Sequence, residues 1–401
     1  MLVLLLVVFV NFVGIGALIP VLPYTVIETL GLSATTMTLL LASFAFAMFL
    51  SNPLLGRLSD HVGRRPVLIF SLMVNVLAHI WFALSTDIVQ MFAARILAGL
   101  AAGNTGVIQA MIADRVSPGE RARFMGLFGA AIGTGFVAGP ALGGLFSGLG
   151  EGPLHQAPFL LAAGFGTIAL LLSLRLNGRA TKATASIAAK TLLLDRIKIV
   201  FCSELALYTL AFFCLNLSFA QIEASYVLLL RDYLGFGAAK TGWLFAYIGV
   251  CIILVQSVLI NVAVRRFGEV GTVVFGAGLL LIGQGFTVLI SLGLMAGANY
   301  PLVQIVTTTT AVCFGFGFSN PALSAAASNA AGKETMGGAL GTVQGFASLG
   351  QVGGLVLAGP LYQLGGAHFP FGFGMCITSL LLVVMIVLKR RPAMQPQYRQ
   401  P

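Results

Sequence analysis

Apolar residues run through this chain in long unbroken stretches rather than in short alternating ones. Twelve stretches approach or exceed the roughly 20 residues a bilayer-spanning helix needs: 2–24, 37–55, 67–86, 88–113, 124–147, 158–174, 199–223, 241–264, 270–294, 302–330, 337–361 and 370–388. A membrane barrel would alternate over segments of about 10 residues, and these runs do not alternate. The pattern predicts an all-α polytopic membrane protein with twelve transmembrane helices, whose main surroundings are the lipid bilayer.

Composition removes the other classes. Of 401 residues, 58% are hydrophobic and only 8% charged, and mean hydropathy is +0.99. A soluble surface needs about 25% charge, and disordered, fibrous or coiled-coil chains need polar or heptad-charged sequence. The five cysteines (Cys202, Cys214, Cys251, Cys313 and Cys376) stand singly in apolar stretches, with neither metal-ligand nor disulfide-framework spacing. The chain opens apolar at Met1 with no basic n-region, which argues against a cleaved signal.

The net charge of +10 would suit a nucleic-acid binder, but its placement says otherwise. All of the 22 Lys and Arg residues except Arg95, Arg231 and Lys240 fall in alternate connections: 56–66, 114–123, 175–198, 265–269, 333–334 and the tail from 389. The opposite loops carry Glu28, Asp87, Glu151 and Asp232. The positive-inside rule puts the basic loops and both termini in the cytoplasm, most simply of a bacterial inner membrane or one derived from it. No nucleic-acid partner is expected.

Two features divide the chain. A basic, small-residue segment over 175–198 separates a bundle at 1–174 from one at 199–401, the six-plus-six layout of a secondary transporter. A degenerate repeat matches it: Gly56–Arg65 recurs as Asn261–Glu269 at an offset of 205 residues, pairing Gly63 with Gly268 and Asn11 with Asn216. No P-loop is present, so ATP is not the expected energy source. No nucleophile constellation or cofactor spacing appears, so no enzyme is expected, and an ion gradient is left as the driving force.

Four motifs carry a family resemblance. Gly56-x-x-x-Asp60-x-x-Gly63-Arg64-Arg65 between spans two and three is similar to the signature loop of the major facilitator superfamily. Gly135-x-x-x-Gly139-Pro140-x-x-Gly143-Gly144 in span five resembles the motif of its proton-coupled drug antiporters. Gly14-x-Gly16-x-x-x-Pro20-x-x-Pro23 in span one and Arg95-x-x-x-Gly99-x-x-x-Gly103 in span four complete the set, which resembles tetracycline/proton efflux pumps most in the first half. The resemblance implies two six-helix bundles rocking about a midplane cavity lined by spans one, four, seven and ten.

Each motif also has a physical reading. Gly56 permits close approach of a neighbouring helix, and Asp60 suits pairing with Arg121 or Arg123 in the next basic loop. The resemblance implies that this contact gates the cytoplasmic side; on topology alone, Arg64 and Arg65 need only hold the loop inside. Glycines four apart in span five form a groove that Pro140 bends, either as a hinge against the other bundle or as ordinary packing. Arg95 lies roughly 12 Å inside its span, where an unpaired guanidinium is costly. Gln109, fourteen residues on, falls on nearly the same face and extends a polar stripe.

Acids are scarce. The tetracycline pumps carry essential carboxylates in spans one and three, and the aligned positions here are Asn11 and Ala78, the latter beside His79. Histidine titrates in a useful range, so His79 is either a proton carrier or a packed core residue. Glu204 is expected to pair with the basic linker. Glu223 either faces the cavity, if span seven breaks there, or is a solvated loop carboxylate. Gly315-Phe316-Gly317 with Asn320-Pro321 is expected to unwind or kink span ten, and Gln344 and Gly350-x-x-x-Gly354 mark span eleven.

The expected function is proton-linked movement of a small solute, most simply efflux, with Arg95, Glu223 and His79 as coupling candidates. An overall similarity to magnetosome-membrane facilitators implies an alternative, the import of iron or an iron complex. A membrane sensor or assembly factor is the alternative of a different class.

Overall fold

A computed structural model describes residues 1–117, 120–147, 156–176, 205–294, 301–330 and 336–390, and among them contains helices and no strands. Over the described residues, each of the twelve apolar stretches falls mainly on a helix. They are α1 (Leu2–Ala17), α2 (Ala34–Val62), α3 (Arg64–Ala83), α4 (Ile88–Ala102, resuming as Thr105–Ala113), α5 (Arg121–Phe146) and α6 (Gln156–Leu174). The second half holds α7 (Leu205–Leu234), α8 (Ala238–Leu254), α9 (Ile260–Ser291), α10 (Pro301–Ala330), α11 (Met336–Gly365) and α12 (His368–Arg390). Among the described residues, 10 helices are long and apolar enough to cross a membrane, one of them the 54-residue run Ala238–Ser291.

Local chemistry sets the breaks. Ser33 caps α2 by accepting from Thr36 N at 3.1 Å, and Asp87 caps α4 by accepting from Val89 N and Gln90 N at 2.8 and 2.9 Å. Gly63 separates α2 from α3 at φ 105°, and Gly268 interrupts α9 from within at φ 70°. The two glycines paired by the sequence repeat therefore share the left-handed backbone that glycine tolerates best. Short interruptions also occur after Ala17 and at Gly103-Asn104. By contrast, α10 stays helical through Gly315, Phe316, Gly317 and Pro321. The expected unwinding does not occur, because Gly315 is held against α9, where an added Cβ would lie 2.5 Å from Leu280 N and 2.7 Å from Gly276 O.

Each half has its own core. One is built around Leu4, Val8, Leu68, Leu72, Ile108 and Met111, the other around Phe212, Leu215, Val273, Leu280, Leu323 and Phe371. The halves meet where α5 packs on α8 and α2 on α11. A small alanine-rich cluster seals the second seam: Ala42 and Ala45 of α2, Ala220 and Ala224 of α7, Leu355 and Ala358 of α11. The linker beyond Leu176, together with Glu204, Glu151 and Cys202, lies outside the described residues.

Inside the second core, a closed polar network crosses three helices. Gln284 Nε2 donates to Ser218 Oγ at 2.8 Å, Thr378 Oγ1 donates to Gln284 Oε1 at 2.9 Å, and Ser218 Oγ reaches Gly374 O at 3.1 Å. All three side chains are buried, and interhelical hydrogen bonds in membranes contribute about 0.6–2 kcal/mol each. Gln284→Leu should therefore destabilise the protein by about 1–3 kcal/mol. Thermal unfolding in detergent checks this, with Ser257→Ala on an exposed helix face expected to leave the midpoint unchanged.

Candidate functional site

Four helices present one face each to a cavity of about 490 Å³. From α7 come Asn216, Phe219, Ile222, Glu223 and Tyr226; from α8, Phe245, Ile248, Gly249, Ile252 and Gln256; from α10, Thr309, Val312, Cys313, Phe316 and Asn320. From α5 come Gly129, Ile132, Gly133, Phe136 and Pro140. Every set repeats at intervals of three and four, so each is one helical stripe. Thr287, Gln351, Phe371 and Ile19 complete the lining.

The wall is chemically lopsided. Its polar side chains all belong to the second half, whereas the first half contributes Ile19, Gly129, Ile132, Gly133, Phe136 and Pro140. Glu223 is the one carboxylate among the lining residues, which include no Lys, Arg or His. It sits beside the Gln351 amide. Phe219 and Phe316 stack with centroids 3.8 Å apart. Tyr226 is hydrogen-bonded to Thr309 and Tyr247 to Thr310, the second at 2.7 Å.

Glu223 corrects both readings of span seven. The helix neither breaks there nor ends there, but runs on to Leu234. The residues after Glu223, Ala224 to Leu230, are all buried and, apart from Ser225 and the Tyr226 hydroxyl, apolar, so they continue the span. A carboxylate sits mid-helix because the cavity gives it somewhere to face. Asn216, two turns earlier and the repeat partner of Asn11, also lines the cavity, with Nδ2 bonded to Phe212 O at 2.9 Å.

Arg95, Gln109, Asn11 and His79 do not line this cavity, and no α4 residue does. Arg95 is 5% exposed, whereas Gln109 is exposed. The break at Gly103-Asn104 ends the shared helical register, so the expected polar stripe is not continuous. Asn11 is buried and its Oδ1 accepts from Asn75 Nδ2 at 3.2 Å, one turn before Ala78. His79 is buried beside Phe159, with ring centroids 6.1 Å apart. The Arg95 guanidinium lies over the Phe44 ring at 4.3 Å. A desolvated cation–π contact supplies about 2 kcal/mol, against at least about 2.5–3.5 kcal/mol to hold an arginine mid-membrane.

At the basic end, Asp60 pairs with Arg64 at 2.5 Å, and Arg64 bridges on to Asp114 at 3.3 Å and to Ser59 Oγ at 2.7 Å. Arg65 donates to Leu174 O at 2.6 Å. The signature loop thus ties the ends of α2, α3, α4 and α6 together. Asp114 was not singled out from the sequence, although its place just after an apolar run, in a basic loop, was the available signal. The side chains of Arg121 and Arg123 lie outside the described residues. A side chain at Gly56 would meet nothing within 4 Å, so the close approach expected there is not made in this conformation. At the opposite end the halves are joined: Tyr24 Oη donates to Phe236 O and meets Thr241 Oγ1, both at 2.7 Å, and Thr35 bonds Gln363 at 2.7 Å.

The α5 glycines work on two faces. An added Cβ at Gly135 or Gly139 would lie 2.8 Å from Phe12 Cβ and 2.6 Å from Val13 O, and one at Gly143 would overlap Ala17 O, all on α1. Only Gly144 turns to the other half, where a Cβ would come 2.8 Å from Gly242 Cα of α8. Most of the motif therefore binds its own half, and the contact across halves is narrower than expected. Pro140 serves both, lying against Gly16 while its carbonyl approaches Gly242.

Twelve apolar stretches, the signature loop and this glycine seam meet in one comparison: the profile described as Major Facilitator Superfamily matches residues 4–317. The chain belongs to the major facilitator superfamily. It is accordingly a multi-pass membrane transporter of small molecules and not an enzyme. Among its relatives, "Multidrug resistance protein 2" of Bacillus subtilis (strain 168) is 28% identical over 390 residues, covering 96% of this chain and 94% of the relative. "Tetracycline resistance protein, class C" of Escherichia coli is 30% identical over 387 residues, covering 95% and 94%. Solved structures agree on the fold. A D-xylose-proton symporter superposes with a TM-score of 0.77 at 15% identity, covering 96% of each chain. The human organic anion transporter MFSD10 gives 0.71 at 22%, covering 96% and 98%.

The glycine seam of this facilitator is open to test. Gly143→Ala gains about 0.5–1 kcal/mol of helix propensity but forces α1 and α5 apart, a net loss of about 1–3 kcal/mol. Gly133→Ala, with nothing within 4 Å of the new methyl, should keep or slightly raise stability. Unfolding midpoints of the two variants read the difference.

Proposed function

We propose that this facilitator exports small, largely apolar solutes in exchange for protons, with Glu223 as the residue that takes up and releases the proton. The observation that carries the reading is the solitary carboxylate on an otherwise uncharged, aromatic cavity wall. A neutral glutamic acid leaves that wall apolar, and ionisation makes it a site for a cationic or strongly polarised group. Proton and solute then compete for one side chain, which is the requirement for exchange. The names of the relatives, multidrug and tetracycline resistance proteins, support outward movement of drug-like solutes.

Alternating access fits the seams. The halves are latched through Tyr24 and Thr35 at the end of Glu28 and Asp232, and Gly56 is unpacked at the basic end. With the basic loops and both termini in the cytoplasm of a bacterial inner membrane, this is the inward-facing shape. Rocking about the α5–α8 contact would close the basic end, bringing the Asp60–Arg64–Asp114 cluster towards the second half.

In everted vesicles, Glu223→Gln is expected to lower solute-driven proton release at least tenfold while purified protein still binds a neutral dye. Proton release unchanged in that variant would exclude Glu223 as the exchanging group. Solute flux unaffected by collapsing the pH gradient would exclude proton coupling itself.

A further inference from the structure

Two cysteines that stand far apart in the sequence meet where α8 packs on α10. The seam is fixed by one contact on either side of them. On one side the hydroxyls of Tyr247 and Thr310 are hydrogen-bonded at 2.7 Å. On the other, a Cβ added to Gly317 would lie 3.1 Å from Cγ1 of Val255, which directly follows α8. Residue numbers rise on both helices from the first contact to the second, so the two run parallel. Cys251 lies four residues after Tyr247 and four before Val255, and Cys313 lies three after Thr310 and four before Gly317. Residues at these spacings share a helix face. Tyr247, Cys251 and Val255 therefore form one stripe, and Thr310, Cys313 and Gly317 the stripe that meets it. With the rungs one turn to either side both in contact, the middle rung is the pair of thiols. The two sulfurs are also within electrostatic reach of each other. Both thiols are free and buried. Cys313 belongs to the cavity wall, and Ile248, Gly249 and Ile252 line that wall on either side of Cys251 in the chain. An electrophile in the cavity can meet Cys313 first and Cys251 from there.

We infer that Cys251 and Cys313 form a vicinal dithiol that binds a monosubstituted trivalent arsenical. Two thiols side by side favour a ligand that both sulfurs hold at once. An apolar wall without Lys, Arg or His favours a product that carries no charge. The hydrated arsenical has two hydroxyl groups on arsenic, and each sulfur displaces one of them. Two arsenic–oxygen bonds break, two arsenic–sulfur bonds form, and each thiol proton leaves with a hydroxyl as water. Arsenic stays trivalent and the adduct is neutral. Glu223 takes no part, so the site stands independently of the proton exchange proposed above.

The test treats purified full-length protein with phenylarsine oxide and then washes it with excess monothiol, which strips arsenic held by one sulfur but not by two. By intact mass the parent should keep one phenylarsenic group per chain and release it to a dithiol. Cys251→Ser and Cys313→Ser should each lower retention at least tenfold, whereas the combined variant Cys202→Ser, Cys214→Ser, Cys376→Ser should retain the group in full. Dibromobimane, which fluoresces once both of its arms have alkylated thiols, should link Cys251 to Cys313 in the parent, a readout that needs no variant to fold. Loss of the arsenical from the parent in monothiol would overturn the inference, as would absence of the bimane link. So would full retention in either folded single variant, or loss of retention in the folded combined variant.

Discussion

The architecture depends on how closely α5 approaches α1 on one side and α8 on the other. Lipid tails are as apolar as the side chains they touch, so helices in a membrane gain little from simply burying hydrocarbon. Association then rests on surface contact, and glycines at 135, 139 and 143 bring the α5 backbone against Phe9–Ala17 of α1. One residue further, Gly144 meets Gly242 across the divide between halves, and Gly249 receives Val137. A single helix is thereby shared between a contact within its own half and one across the halves. The cavity opens beside that same helix, through the stripe from Gly129 to Pro140, so the helix that joins the halves is also part of the wall.

The second constraint is the scarcity of charge. With 8% charged residues, nearly every ionisable side chain belongs to a loop, and each one inside a helix bundle needs a local reason. Glu223 has one in the cavity. The Gln284–Ser218–Thr378 network shows the uncharged alternative, in which every donor finds an acceptor. Among the described residues Arg95 Nε and both His79 ring nitrogens do not meet that standard, and neither do Ser225 Oγ and Ser319 Oγ.

Much of the fold was legible because its signals are additive along the chain. Length and hydropathy marked the helices, and charge placement marked the ends. The repeat that paired Gly63 with Gly268 carried through to backbone geometry, since a left-handed turn leaves few residues but glycine. The candidate site was legible only in part. Glu223 and Asn216 were singled out and do face the cavity, but Gln351, Thr287 and Thr309 resemble any polar residue in an apolar helix. Arg95 and Gln109 were joined by helical periodicity, and a two-residue interruption was enough to part them. Asp114 completes an ion cluster whose arginine, Arg64, lies 50 residues away, a relation that spacing does not reveal.

By itself the sequence determined an all-helical membrane protein, the side on which its basic loops gather, and its kinship with a transporter family. These follow from solvation, because apolar length and charge position are paid for residue by residue against lipid and water. Tertiary structure decided which half supplies the cavity's polar side chains, that Glu223 lies within an unbroken helix, and which glycines hold α1 rather than α8. Those outcomes depend on the rotation of each helix about its axis. Rotation is set by which neighbour's backbone fits into which groove, a property of pairs of helices that no single stretch of sequence contains.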